Sequence, residues 1–253
     1  MTTKPIRLTQ SVPISDLLDT LMVALWGILL LKYWLTGELR LLVHRRYFWI
    51  VISAGAFLSL IAGFKVAGFR RKRPTAKAQH FTYFPPNLSS GLLIFVATLG
   101  LITSPQVLNS QAAMQGGITD LSILTRTQRQ AFYGSTRSKE KSLLDWAKTL
   151  AVYPEPSAYV GQKAKVLGFI VHPPNLPEQY FIITRFVIGH CALDAYPVGL
   201  LVQLTQNRQD YPPASWLEIE GQMITVDVKG QSQLAIDAKL LKPVPKPKDP
   251  YEY

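Results

Sequence analysis

The chain has 253 residues, is 48% hydrophobic, and carries a formal net charge of +11 with one cysteine. A single cysteine excludes an intramolecular disulfide and any Cys-x-x-Cys metal or redox motif. The charge is uneven: residues 1–105 hold 12 Lys and Arg against 3 Asp and Glu, and the remainder 15 against 13. The near-neutral C-terminal part is poor footing for phosphate-driven binding, which argues against a nucleic-acid partner.

The first 105 residues read as a membrane anchor. After a polar start come three apolar segments, near residues 17–35, 47–64 and 88–104. A spanning helix needs about 17–25 mainly apolar residues. The second and third segments qualify at the short end, and the first qualifies if Lys32 reaches the interface. Trp34, Tyr47, Phe48 and Trp49 stand where interfacial aromatic anchors belong. No A-x-A-like cleavage site follows the first segment, so it reads as a retained span. The segments lack the polar faces that a soluble helical bundle would need.

Charge sets the expected orientation. The loop Phe69-Arg-Arg-Lys-Arg-Pro-Thr-Ala-Lys77 holds five basic residues, and Lys4 and Arg7 lie near the N-terminus. The first loop holds Arg40, Arg45 and Arg46. Seven against three puts the N-terminus and second loop in the cytoplasm. With three spans, the C-terminal domain is then extracytoplasmic.

Residues 106–157 read as a linker carrying an amphipathic helix over 138–152, capped by Ser138. Leu143, Leu144, Ala147, Leu150 and Ala151 share one face, which the following domain would cover. From Ala158 the apolar period becomes two. Five strands are expected at Lys163–Val171, Tyr180–Ile188, Tyr196–Leu204, Trp216–Val228 and Gln233–Leu241. Gly168 and Gly221 would let strands bend or bulge. The expected fold is thus membrane α plus β: three transmembrane helices, then a five-stranded OB-like barrel over 158–241. The Pro/Lys-rich tail, 242–253, is expected to be extended and mobile.

One stretch gathers the chemistry: Arg185-Phe-Val-Ile-Gly-His-Cys-Ala-Leu-Asp-Ala-Tyr-Pro-Val-Gly199. His190, Cys191 and Asp194 are metal-capable, and zinc or copper is what such a set would take. Adjacent strand residues point to opposite faces, so His190 and Cys191 share an ion only on a turn. Gly189 and Pro197 allow one. His172 would lie about 25–30 Å away, at the far end of a strand rising about 3.3 Å per residue. The bland alternative packs Cys191 as a small hydrophobe and uses Asp194 as a cap. No G-x-S-x-G, H-E-x-x-H or phosphate-binding glycine loop occurs, so no enzyme is expected.

The chain resembles the YcgQ-like bacterial membrane proteins, described as permease subunits. The likeness rests on the N-terminal spans, Ile102-Thr-Ser-Pro105, Val166-Leu-Gly-Phe-Ile170, the Arg185–Gly199 stretch and Trp216-Leu-Glu-Ile-Glu-Gly221. That family usually carries Cys-Cys-x-x-Asp-Ala where this chain has His190-Cys191-Ala-Leu-Asp194-Ala195. The replacement removes any dithiol role but keeps a metal-capable side chain. The resemblance implies the cytoplasmic membrane of a bacterium and a multi-span permease partner. The expected function is a non-enzymatic permease-associated subunit whose β domain binds or passes on a ligand, with a metal ion as the candidate. The alternative is a tethered assembly module that docks a partner without a ligand site.

Overall fold

The computed structural model describes residues 13–70, 86–117, 141–228 and 230–253. Most of the basic second loop, residues 71–77, lies outside the described residues, as does Ser138. The chain divides into two compact units, Met1–Pro105 and Gln106–Tyr253.

The first unit is helical. It contains α1 (Ile14–Leu35), α2 (Phe48–Arg70) and α3 (Pro86–Ile102), with short 3₁₀ turns at Glu38–Leu41 and Arg45–Tyr47 between α1 and α2. Two stretches, Ile14–Leu35 and Arg45–Gly68, are long and apolar enough to cross a membrane. The third helix is apolar but has 17 residues, about 25 Å at 1.5 Å per residue. Small residues let α1 and α2 touch closely. A Cβ on Gly27 would stand 2.6 Å from Ser59 Oγ, and one on Gly55 would stand 3.1 Å from Leu30 Cβ. Polar bonds tie α1 to α3. Ser90 Oγ donates to Asp19 Oδ1 at 2.5 Å, Trp26 Nε1 to the Leu93 carbonyl at 3.2 Å, and Tyr33 Oη to the Gly100 carbonyl at 3.0 Å. The partners advance in the same direction along both helices, so α1 and α3 run parallel. Lys32 closes one end, donating to the Leu101 carbonyl at 3.1 Å with Glu38 at 3.6 Å.

The second unit is built on a six-stranded sheet. It contains α4 (Ser110–Gln115), α5 (Leu143–Val152), β1 (Lys163–Val171), β2 (Tyr180–Val187), β3 (Tyr196–Gln203), β4 (Trp216–Val228), β5 (Gln231–Val244) and β6 (Tyr251–Glu252). The first strand pairs with both β4 and β2, so the pairing runs β1–β2–β3–β5–β4 and returns to β1. All of these pairs are antiparallel except β3–β5. Glycines act where chains come close. A Cβ on Gly168 would meet the Thr184 carbonyl oxygen at 2.6 Å, and one on Gly199 the Ile183 oxygen at 2.7 Å. The register of β4 against β5 shifts between Glu220 and Gly221, the bulge that Gly221 predicts.

Three expectations need correction. The stretch after Pro105 is not a plain linker, because α4 forms under an Asn109 cap and buries Ala113. The amphipathic helix starts at Leu143, with Ser142 as its cap. Ser142 Oγ accepts from the Asp145 N–H, and Asp145 Oδ2 accepts from the Ser142 N–H, both at 3.1 Å. This reciprocal pair satisfies two N–H groups that a helix start leaves without partners. The buried face is Leu143, Leu144, Trp146, Ala147 and Leu150, and it joins the core cluster with Val166, Ile170, Phe181, Ile183, Val202 and Ile219.

The third correction concerns the tail. It is seated on the sheet rather than standing free: β5 runs on to Val244, and Tyr251–Glu252 adds a sixth strand, parallel to β2. Tyr251 and Glu252 are buried. The segment is held because Arg185 reaches into it, a contact between residues more than 60 positions apart.

Gly221→Ala should destabilise the second unit by about 1–3 kcal/mol. Its new Cβ would overlap the Asp237 carbonyl and stand 2.8 Å from Ile236 Cγ2. Thermal unfolding of the full chain in detergent, followed by near-UV circular dichroism, checks this.

Candidate functional site

The turn between β2 and β3 is organised by one carboxylate. Asp194 Oδ1 accepts the backbone N–H of Gly189 at 3.1 Å and of Cys191 at 3.2 Å. Oδ2 accepts the N–H of His190 at 2.7 Å and lies 2.8 Å from His190 Nδ1. The Asp194 N–H donates to the Cys191 carbonyl at 3.0 Å. Ala192–Asp194 thereby close a 3₁₀ turn. The side chain loops back over its own backbone, as short acids do in turns.

This geometry decides what each candidate does. Asp194 and His190 come together, and Asp194 fixes the imidazole from its Nδ1 side. The His190 side chain is 75% exposed, and Cys191 is half-buried. Among the described residues, no group of three His, Cys, Asp or Glu side chains could hold a metal ion. His172 lies elsewhere, following β1, with its ring 6.4 Å from that of Phe181. Burial first, then the charge of Arg208, pulls its pKa below the usual imidazole range.

Electrostatics favour the charged turn. Desolvation is the largest single influence on Asp194 and pushes its pKa up. The hydrogen bonds from His190, Cys191 and Gly189 together outweigh it, and the net shift is downward.

Two features had no signal in the sequence. Leu193, at the tip of the turn, is 97% exposed. Nothing in an Ala-Leu-Asp run distinguishes an outward leucine from a buried one. Arg185 opens the same stretch yet belongs to a different construction. Its guanidinium donates to the carbonyls of Asp249 (2.9 Å), Pro250 (3.3 Å) and Tyr251 (2.9 Å), and to Glu252 Oε1 (3.4 Å). The other oxygen of Glu252 accepts the Leu144 N–H at 2.8 Å.

Residues 133–253 match the family described as the DUF1980 C-terminal domain. YcgQ-like proteins carry DUF1980 domains, so the match agrees with the resemblance over this part of the chain. The match spans both the Arg185–Gly199 stretch and the tail. No curated protein matches the chain.

Asp194→Ala should free the turn. Backbone exchange at Gly189, His190 and Cys191 should quicken by at least about tenfold, with little change in the strands. Because the folded pKa of Asp194 is depressed, its contribution is complete above the unfolded value, about 3.9. It is lost as pH falls through the lower folded value. Protection of these three amides in the wild type should therefore fade in that acidic window, and in Asp194→Ala it should be insensitive to it.

Proposed function

We propose that this protein is a non-enzymatic, membrane-anchored subunit that docks a multi-span permease through the Gly189–Asp194 turn of its β domain. The observation that carries the reading is the pairing of a rigid turn with a bare apolar tip. One carboxylate holds three backbone N–H groups, and Leu193 stands almost fully in solvent at its end. A single exposed leucine is ordinary. One fixed on a turn ordered in advance loses little freedom on binding, and burying it is worth about 1.5–3 kcal/mol.

In this reading all three helices cross the cytoplasmic membrane of a bacterium. The parallel register of α1 and α3, from Asp19–Ser90 to Tyr33–Gly100, supports equal depth for the two. Large apolar side chains exposed on every helix, among them Phe57, Phe64, Leu92 and Phe95, fit a lipid surround. Three crossings with a cytoplasmic N-terminus make the β domain extracytoplasmic. The cyclic strand order, with its single parallel β3–β5 pair, fits a five-stranded OB-like barrel. A near-neutral domain outside the cytoplasm has no use for nucleic acid.

The ligand-handling alternative retains one supporting observation. Asp194 orients His190 from the ring nitrogen opposite the outward one, the way carboxylates hold metal-ligating histidines. Zinc or copper on His190 and Cys191 would then need ligands from the partner.

Two measurements test the proposal. In a Cys191→Ser background, a membrane-impermeant maleimide should label Lys239→Cys, an exposed position on β5 outside the turn, in intact cells; labelling only after permeabilisation would place the domain in the cytoplasm. Purified protein should carry zinc and copper well below one equivalent, unchanged by Cys191→Ser. Near-stoichiometric metal lost in that variant would overturn the docking reading in favour of metal handling.

A further inference from the structure

The tail is seated as a ligand is seated. The pairing of β1 with β2 ends at Thr184. Beyond it, the side of β2 that β1 leaves is taken by β6, with Phe186 opposite Tyr251 and Val187 opposite Glu252. The Ile188 N–H continues the ladder to the Glu252 carbonyl at 3.2 Å. Adding an extended segment to a strand edge is a common mode of peptide recognition.

The seat is also built for a carboxylate. Arg185 is 14% exposed and faces Glu252 Oε1, while the first turn of α5, a ten-residue helix, supplies the Leu144 N–H to Oε2. A helix N-terminus favours negative charge, and here a buried guanidinium stands beside it. The four hydrogen bonds of Arg185 go to residues 249–252 alone. Tyr251 is 2% exposed, and its hydroxyl accepts the Leu108 N–H at 3.4 Å.

What joins the segment to the domain is different in kind. Between the end of β5 at Val244 and the seated residues 249–253, Pro245 and Pro247 punctuate the connection, and Pro245, Lys246 and Lys248 are exposed. Prolines lack the N–H that a sheet or helix would need. The arm is a tether rather than a packed element.

We propose that this groove is a receptor for an extended peptide bearing an aromatic residue followed by an acid. Residues 249–253 are its tethered occupant, and a strand of a partner protein takes the same seat when they leave. An empty seat strands the Arg185 guanidinium and two backbone N–H groups without acceptors. A competitor must therefore offer the same chemistry. This inference does not depend on the Leu193 turn.

The experiment uses full-length protein in detergent and a fluorescein-labelled peptide of residues 248–253. A tether supplies an effective concentration on the order of millimolar, so wild-type chain should bind the free peptide weakly. Tyr251→Ala/Glu252→Gln, which loosens the occupant, should bind at least about tenfold more tightly. Adding Arg185→Ala to that variant should abolish binding, and a peptide with Gln at the Glu252 position should lose at least about tenfold. Hydrogen exchange on wild-type protein gives a second readout. The Leu144 and Ile188 amides should exchange at least about tenfold faster than those of Ile183 and Val202, reporting release of the segment alone. A folded double variant that ignores the peptide would overturn the proposal. So would exchange of Leu144 and Ile188 in step with the barrel strands. Concentration-dependent dimers with exchanged tails and no free-peptide binding would replace the partner strand with a second copy.

Discussion

The second unit depends on the charge of Arg185 being neutralised inside it. The guanidinium leaves water on β2, and desolvation, the largest influence, pulls its pKa down against the pull of Glu252 and Asp249. An arginine stays protonated all the same, so the charge must be met by geometry. It is met by three carbonyls and a carboxylate from one short segment. That carboxylate also caps α5, whose Trp146 and Leu143 reach full burial in the core. Strand edge, helix start and tail are therefore one construction. Removing either charge would leave the other buried and unpaired, the costly case for ion pairs.

The helical unit solves the complementary problem. Its helices expose large apolar side chains, and several of its polar groups face neighbouring helices. Asp19 meets Ser90, and Lys32 meets Glu38 and the end of α3. The helix α1 serves both neighbours, small residues toward α2 and polar donors toward α3. An apolar solvent would reward that arrangement, because packing and interhelical bonds are what hold helices together there. Lys32 does not simply reach outward, as the hydropathy pattern suggests. It closes the end of the bundle.

Much of this was legible in the sequence, and the reasons are local. Apolar runs between Pro, Asn, Asp and Gly clusters located the five long strands to within a few residues; β4 alternates along much of its length, while β2 and β3 are buried on both faces. Gly221 announced its bulge, since the Asp237 carbonyl leaves no room for a Cβ. The Ser142 cap was obscured by Ser138, an equally good cap four residues earlier. The tail misled because its prolines and lysines describe the tether correctly, while the two residues that matter, Tyr251 and Glu252, are too few to register as a strand. The site was legible as a place but not as a device. His190, Cys191 and Asp194 do lie together on a turn. That Asp194 would cap the turn was the alternative its residue type offered, and its carboxylate does accept the turn's own N–H groups; that Leu193 would be the exposed residue follows from backbone geometry that residue type does not encode.

The central claim is that the Gly189–Asp194 turn is a docking element. The most direct test places a photo-crosslinking amino acid at position 193 in the full-length chain and irradiates intact cells. The account predicts a discrete adduct with one multi-span membrane protein, lost when Asp194→Ala loosens the turn while the domain stays folded. Adducts with lipid alone, or an adduct indifferent to Asp194→Ala, would contradict it.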